Sequence, residues 1–236
     1  MSLGARFVCV KALAPMLAVL FVACGNEEQV KYEPRPAPSG AKASLPPVPN
    51  VSQKPVKSGD AYTIWGASYS LRSRVHRKEV FGKKISITGY ITKTNLPDAP
   101  ECAVHRTGKA DPENCRPPIP AFWLADTKDA PIGESIKVMG FASNFAQLFD
   151  AINDYKRHKL DDKPEKLTQD ELWGVSIPFP IPAAGAKVTV TGDYSTTFTK
   201  SSTGAEADPI MGLLTIEKIT YLELPAEKAT LPGMGK

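Results

Sequence analysis

The residue types best suited to chemistry lie in the segment CAVHRTGKADPENC, residues 102–115. Cys102, His105 and Cys115 could ligate a metal ion, and two thiols could also form a disulfide or exchange with other thiols. A Cys-x2-His pair supplies only half of a structural zinc site, which normally has four ligands. The cysteines are separated by 12 residues, unlike the close pair of thiol oxidoreductases. The compartment that the chain reaches therefore decides between a disulfide, a metal site and free thiols.

The N-terminal sequence indicates export. Arg6 and Lys11 form a short positive region, and residues 12–23 are an apolar run of 12 residues interrupted by Pro15. A helix that spans a bilayer takes about 20 apolar residues, so this run is too short to be one. Its length, and the small residue before Cys24, are typical of a secretory signal.

The stretch Leu20-Phe-Val-Ala-Cys24 resembles the lipobox of bacterial lipoproteins, although Phe21 stands where that motif usually has leucine. The resemblance implies cleavage before Cys24, lipidation of its thiol, and anchoring to the cell membrane or the outer membrane. The folded domain would then lie in the periplasm or on the surface. An ordinary signal peptide cut elsewhere is the alternative. Two or more acyl chains hold a protein stably on a bilayer, so the membrane is the first predicted partner.

Composition divides the rest of the chain. Residues 24–60 are rich in proline, lysine and serine and poor in large apolar residues, so they predict a disordered tether. Residues 61–225 are predicted to form one domain with a core, and residues 226–236 a flexible tail. Removal of residues 1–23 leaves 27 basic and 25 acidic residues. This near balance gives no indication of a nucleic-acid partner.

Alternating apolar residues predict five strands, at about 84–95, 121–126, 135–141, 186–194 and 212–222. A helix over 143–155 falls between the third and fourth strands, and a short helix over 70–83 precedes the first strand. This order resembles the OB-fold, a mainly β, five-stranded Greek-key barrel. A β-sandwich would need about seven strands and no central helix.

The predicted barrel places the cysteines in the loop between the first two strands. Cys9 lies in the signal and Cys24 would be lipidated, so two thiols remain. An oxidising compartment favours a disulfide between Cys102 and Cys115. The alternatives are a metal site that uses Cys102, His105 and Cys115, or free thiols.

Five side chains are candidates for ligand contact. Phe122 and Trp123 are neighbours on a strand and must face opposite sides, so Trp123 could point outward while Phe122 fills the barrel. The other candidates are His105 and Arg106, which could form a basic lip, and Tyr194 and Phe198, which lie near the loop between strands four and five. The alternative for the aromatic residues is that loops cover their rings. The alternative for His105 and Arg106 is that they belong to a solvated charged loop.

The densest positive patch is the run Arg72, Arg74, His76, Arg77, Lys78, Lys83 and Lys84. It is either a solvated helix face or a surface that meets lipid head groups, an anionic polymer or nucleic acid.

We predict a lipid-anchored, exported binding or scaffold module of the bacterial cell envelope. It would contact a protein or an envelope polymer through the loops at about 96–119 and 194–211, as OB-fold loops commonly do. The alternatives are a metal-binding or redox protein that uses the 102–115 loop, and a nucleic-acid-binding OB-fold protein. The sequence contains no G-x-S-x-G, H-E-x-x-H, P-loop or Rossmann glycine motif, so we expect no enzyme and no cofactor.

Overall fold

The computed structural model describes residues 54–107, 111–200 and 204–234. The predicted signal peptide, the lipidation site at Cys24 and the tether up to residue 53 lie outside these residues. By its backbone contacts the chain divides into residues 1–50 and 51–236. All the described residues of the two core clusters belong to the second unit, so we expect this unit to fold on its own.

The described residues form nine strands and three α-helices. The strands are β1 (Lys57–Ser58), β2 (Ala61–Tyr62), β3 (Lys83–Thr94), β4 (Ala121–Ala125), β5 (Ile136–Met139), β6 (Lys187–Ser195), β7 (Thr197–Phe198), β8 (Glu206–Ala207) and β9 (Leu213–Glu223). The α-helices are α1 (Ile64–Arg72), α2 (Arg77–Val80) and α3 (Phe145–Tyr155), and 3-10 turns occupy Glu101–Ala103 and Ile132–Glu134.

Five strands close into a barrel in the order β3-β4-β5-β9-β6, with β6 pairing back to β3. The β5–β9 pair is parallel, and the other four pairs are antiparallel. If the five barrel strands are numbered 1 to 5 along the chain, their order around the barrel is 1-2-3-5-4-1. Helix α3 lies between the third and fourth of them. The predicted OB-fold-like barrel is confirmed, and each predicted strand lies within two residues of an observed one.

The barrel closes because its strands alternate inward apolar with outward polar residues, and because two glycines let neighbouring strands approach closely. Val188, Val190 and Tyr194 of β6 are fully buried, since they share the inward face of that strand. A side chain on Gly192 would meet the backbone of Thr215, and the β6–β9 register shifts at this point. Gly89 of β3 similarly lies against the carbonyl oxygen of Ala125. The strands therefore bend where the sequence offers no side chain.

Helix α1 starts earlier than the predicted short helix, because two side chains cap it. The Thr63 hydroxyl accepts a hydrogen bond from the Gly66 amide at 2.9 Å. The Asp126 carboxylate accepts from the Ile64 and Trp65 amides at 2.8 and 2.9 Å. Asp126 follows β4, so a residue distant in sequence satisfies the helix start, and no local pattern could have predicted it. The predicted helix over 70–83 is not continuous, because α1 ends at Arg72, residues 73–76 form a turn, and α2 covers only Arg77–Val80.

Both ends of the predicted domain extend further than expected. The Val56 carbonyl accepts a hydrogen bond from the Thr63 amide at 3.0 Å, and it lies against Gly66, which has no side chain to prevent this contact. The last residues of the predicted tether thus pair with the domain. In the predicted tail, Leu231 is buried within the core and Met234 packs against it. Apolar burial orders this segment although its composition resembles that of a loop.

Candidate functional site

Cys102 and Cys115 form a disulfide, with Cα atoms 6.1 Å apart. This confirms the predicted pairing and closes the loop between β3 and β4. The amide of Thr107 donates to the Asp150 carboxylate on α3 at 3.0 Å, which fixes the loop against the helix. Because both sulfurs belong to one covalent bond, a metal site with Cys102, His105 and Cys115 would require the reduced protein.

His105 and Arg106 lie within this disulfide loop. The Nε2 atom of His105 lies 2.8 Å from the Asp111 carboxylate, and its Nδ1 atom lies 2.8 Å from the backbone oxygen of Arg106. The imidazole thus packs into its own loop, while the Arg106 side chain is exposed. Among the described residues no three His, Cys, Asp or Glu side chains converge as a metal site would require.

Trp123 occupies the middle of an outward-facing row across three strands. Its register partners are Lys93 on β3 and Lys137 on β5. The ammonium groups of these lysines lie 6.0 and 5.5 Å from the centre of the indole ring, within the range of cation–π attraction. Lys137 also forms an ion pair with Glu206 of β8. Trp123 is half-buried, and Phe122 fills the barrel, as the alternation predicts.

Tyr194 and Phe198 do not present a ligand surface, contrary to the prediction. Tyr194 is fully buried and its hydroxyl donates to the backbone oxygen of Met211. Burial, and secondarily the charge of Asp208, raise the pKa of the Tyr194 hydroxyl far above its ordinary value. Phe198 is 2% exposed because the strand pair β7–β8 folds it beneath Trp173, whose ring centre lies 6.0 Å away.

A second apolar cluster lies apart from the main core. Its buried members are Ile119, Ala121, Met139, Phe198 and Leu213, and Trp123 and Trp173 pack against it. It joins three loop regions: the end of the disulfide loop, the β6–β9 connection and the segment after α3. The loops at this site therefore hold fixed positions relative to one another.

Asp170 holds the segment that carries Trp173. This carboxylate is fully buried. One oxygen accepts from the Ser143 amide and hydroxyl at 2.6 and 2.7 Å, and the other accepts from the Leu172 and Trp173 amides at 3.0 and 2.7 Å. Four donors thus compensate for the burial of the charge.

These elements enclose a groove of about 570 Å³. One wall is the disulfide loop with its prolines 117 and 118, and the other is Leu172 and Trp173. Its charged lining is balanced, with two acids and two bases, Asp111, Glu113, Arg116 and Lys200. Leu172 is 68% exposed beside this groove. A groove with equal numbers of acidic and basic residues, together with prolines, an indole and an exposed leucine, suits a protein segment better than a polyanion.

The predicted contact loops, 96–119 and 194–211, supply one wall of this groove and Lys200, but the prediction missed the wall formed by the segment after α3, with Leu172 and Asp170. Their only sequence signal is the segment DELWG, which places two large apolar residues in a polar connection. Burial of an aspartate there depends on Ser143, which is 27 residues away along the chain.

The barrel and its loop-borne groove define an OB-fold-like protein. No protein-family model matches the sequence, and no curated protein is significantly similar to it. Among the described residues, no helix combines the length and the hydropathy of a bilayer-spanning segment.

Proposed function

We propose that this protein is a lipid-anchored, exported binding module of the bacterial cell envelope that holds a segment of a partner protein in the groove beside Trp173. The exposure of Leu172 at the mouth of a rigid groove carries the proposal. An isolated apolar side chain held outward by a buried aspartate is well placed to anchor a partner.

Three further observations support this proposal. The lipobox-like sequence before Cys24 and the Cys102–Cys115 disulfide both suit an exported protein. The groove has no excess of either charge. Exposed apolar and aromatic groups bounded by polar residues are typical of surfaces that bind proteins.

Site-specific photo-cross-linking in intact cells tests the proposal. A photoreactive phenylalanine analogue replaces Leu172 in one variant, and Leu222 in the matched control. Leu222 is exposed to a similar degree on β9 and does not line the groove. We expect a discrete cross-linked protein from position 172 and none from position 222. Leu172→Asp should abolish co-purification of that protein, whereas Leu222→Asp should not.

Cross-links of equal yield from both positions would contradict a specific groove. So would a partner that remains bound to Leu172→Asp. Circular dichroism of both Asp variants checks that the fold is retained.

Single-stranded nucleic acid is a second candidate ligand, favoured by Trp123 between two lysines, because bases stack on such side chains. Glu206 opposes it, since this carboxylate already pairs with Lys137 at the same surface. Fluorescence titration with an oligonucleotide, comparing the native protein with Trp123→Ala, distinguishes this candidate from the first.

A further inference from the structure

Six exposed basic residues surround the turn between α1 and α2. We define the basic turn as residues 72–78. It contributes Arg72, Arg74, Arg77 and Lys78, and Lys83 and Lys84 follow at the start of β3. Three carboxylates oppose them: Glu79 pairs with His76 at 2.9 Å, Glu217 pairs with Lys84 at 2.6 Å, and the charge of Asp193 also acts on Lys84. A positive excess still remains at this surface.

Two apolar side chains project among these cations. Val75 lies in the turn and is 79% exposed, which is the largest exposure among the large hydrophobic residues of the described ranges. Phe81 is also exposed, and the Arg77 guanidinium lies 4.2 Å from its ring centre. Transfer of both side chains from water to an apolar phase would be favourable.

The turn is rigid enough to present these groups together. Leu71 before it and Val80 after it are fully buried in the core. The Ser73 hydroxyl accepts hydrogen bonds from the Val75 and His76 amides at 3.3 and 3.2 Å. The Arg77 amide donates to the Ser73 carbonyl at 2.9 Å, which closes the turn. The basic turn thus forms a fixed protrusion with an apolar tip and a cationic base.

We propose that the basic turn docks onto an anionic phospholipid bilayer, with Val75 and Phe81 in the interfacial layer and the arginines and lysines on the lipid phosphates. A soluble polyanion would satisfy the charges but would leave Val75 and Phe81 in water. A bilayer interface satisfies both. This surface is separate from the groove, and the proposal does not depend on lipidation of Cys24.

Vesicle sedimentation with residues 51–236, oxidised and purified, tests the proposal. The probes are phosphatidylcholine vesicles with and without phosphatidylglycerol. We expect binding only to the anionic vesicles, with a partition coefficient that falls as salt rises. Each basic residue near such a surface contributes roughly fivefold to partitioning, so Arg74→Glu/Lys78→Glu should reduce it by at least about tenfold.

A matched variant separates this surface from net charge. Arg157→Glu/Lys159→Glu makes the same change in total charge on the segment after α3, where both residues are exposed. We expect it to reduce binding by no more than about twofold. Equal losses in the two double variants, or equal binding of the native unit to neutral vesicles, would overturn the proposal.

The apolar tip has its own test. Val75→Ser, which leaves the net charge unchanged, should weaken binding to anionic vesicles while leaving the circular dichroism spectrum and the thermal midpoint unchanged. Unchanged vesicle binding by this variant would refute insertion of the tip. Displacement of the native unit from anionic vesicles by single-stranded DNA at low concentration would instead identify a polyanion surface. Neither result would affect the cross-linking test at Leu172.

Discussion

At the scale of single residues, the Asp170 carboxylate determines the position of Leu172 and Trp173. Two of the three backbone amides that donate to it belong to those residues, and Ser143, just before α3, supplies the third amide and a hydroxyl. A buried carboxylate without such donors would be strongly destabilising, so this side chain and its partners form one unit. The groove wall is therefore only as stable as this network.

Replacement of Asp170 by asparagine should lower the free energy of unfolding by about 3 kcal/mol, because the new amide group would face donors where an acceptor is needed. Denaturant unfolding measures this change. The control is Asp129→Asn, since Asp129 is exposed and the structure shows no hydrogen bond to its side chain from the described residues. A loss below about 1 kcal/mol for Asp170→Asn would show that the network is dispensable.

Tyr194 illustrates what strand alternation can predict. It shares an even-numbered position with Val188 and Val190 on β6, so the pattern already places it inside the barrel. The ligand-contact prediction for this residue relied on its proximity to a loop and was wrong. Phe198 gave no such signal, because its burial depends on Trp173, which approaches from a different segment.

At the scale of elements, the described residues of the disulfide loop combine a covalent closure with a hydrogen bond to α3. The Cys102–Cys115 bond limits the conformations of the unfolded loop, and the Thr107–Asp150 hydrogen bond attaches the loop to the helix. One wall of the groove is built on this loop. Loss of the disulfide should thus reduce stability and partner binding together.

Cys102→Ala/Cys115→Ala should lower the free energy of unfolding by about 3 kcal/mol, the value for closure of a loop of this length. Reducing agent should lower the stability of the native protein by a similar amount and leave that of the double variant unchanged. Denaturant unfolding with and without dithiothreitol gives both values. Detection of free thiols at these positions in protein isolated from the envelope, or equal stability of the two proteins, would contradict the prediction.

Elements with a local signal were predicted well and elements with distant partners were not. The apolar alternation of β3 and β6 is continuous in the sequence, and both strands were found within a residue of their predicted ends. The cap of α1 needs Asp126, and the wall of the groove needs Asp170 to contact Ser143. Neither contact leaves a pattern within a few residues of either partner, so only the folded chain reveals them.

At the scale of the whole molecule, the buried Tyr194 and the half-buried Tyr221 link stability to alkaline pH. Burial raises the pKa of Tyr194 and of Tyr221 far above the ordinary value. The Tyr221 hydroxyl donates to the Pro180 carbonyl at 2.6 Å, which further favours its neutral form. In the unfolded chain both ionise near pH 10, as free tyrosine does. The unfolded state therefore releases protons that the folded state retains.

We expect the contribution of these tyrosines to be fully present below about pH 10 and to be lost as the pH rises further. Phenolate absorbance should then show that Tyr194 and Tyr221 ionise only when the barrel unfolds. In Tyr221→Phe one fewer tyrosine should ionise together with unfolding. If all tyrosines of the native protein titrate near pH 10 while circular dichroism is unchanged, the expectation fails.

Barrel closure joins β3 to β6, whose paired residues lie about 100 positions apart, as in the hydrogen bond between the Thr88 and Thr189 hydroxyls. When the chain is synthesised from its N-terminus, β3 is exposed long before β6 has been made. Until then one side of β3 carries unsatisfied amide and carbonyl groups, which invite pairing with a foreign strand. Incomplete chains should accordingly bind chaperones and be degraded by quality-control proteases. Truncated proteins that end before residue 187 should therefore accumulate to low levels.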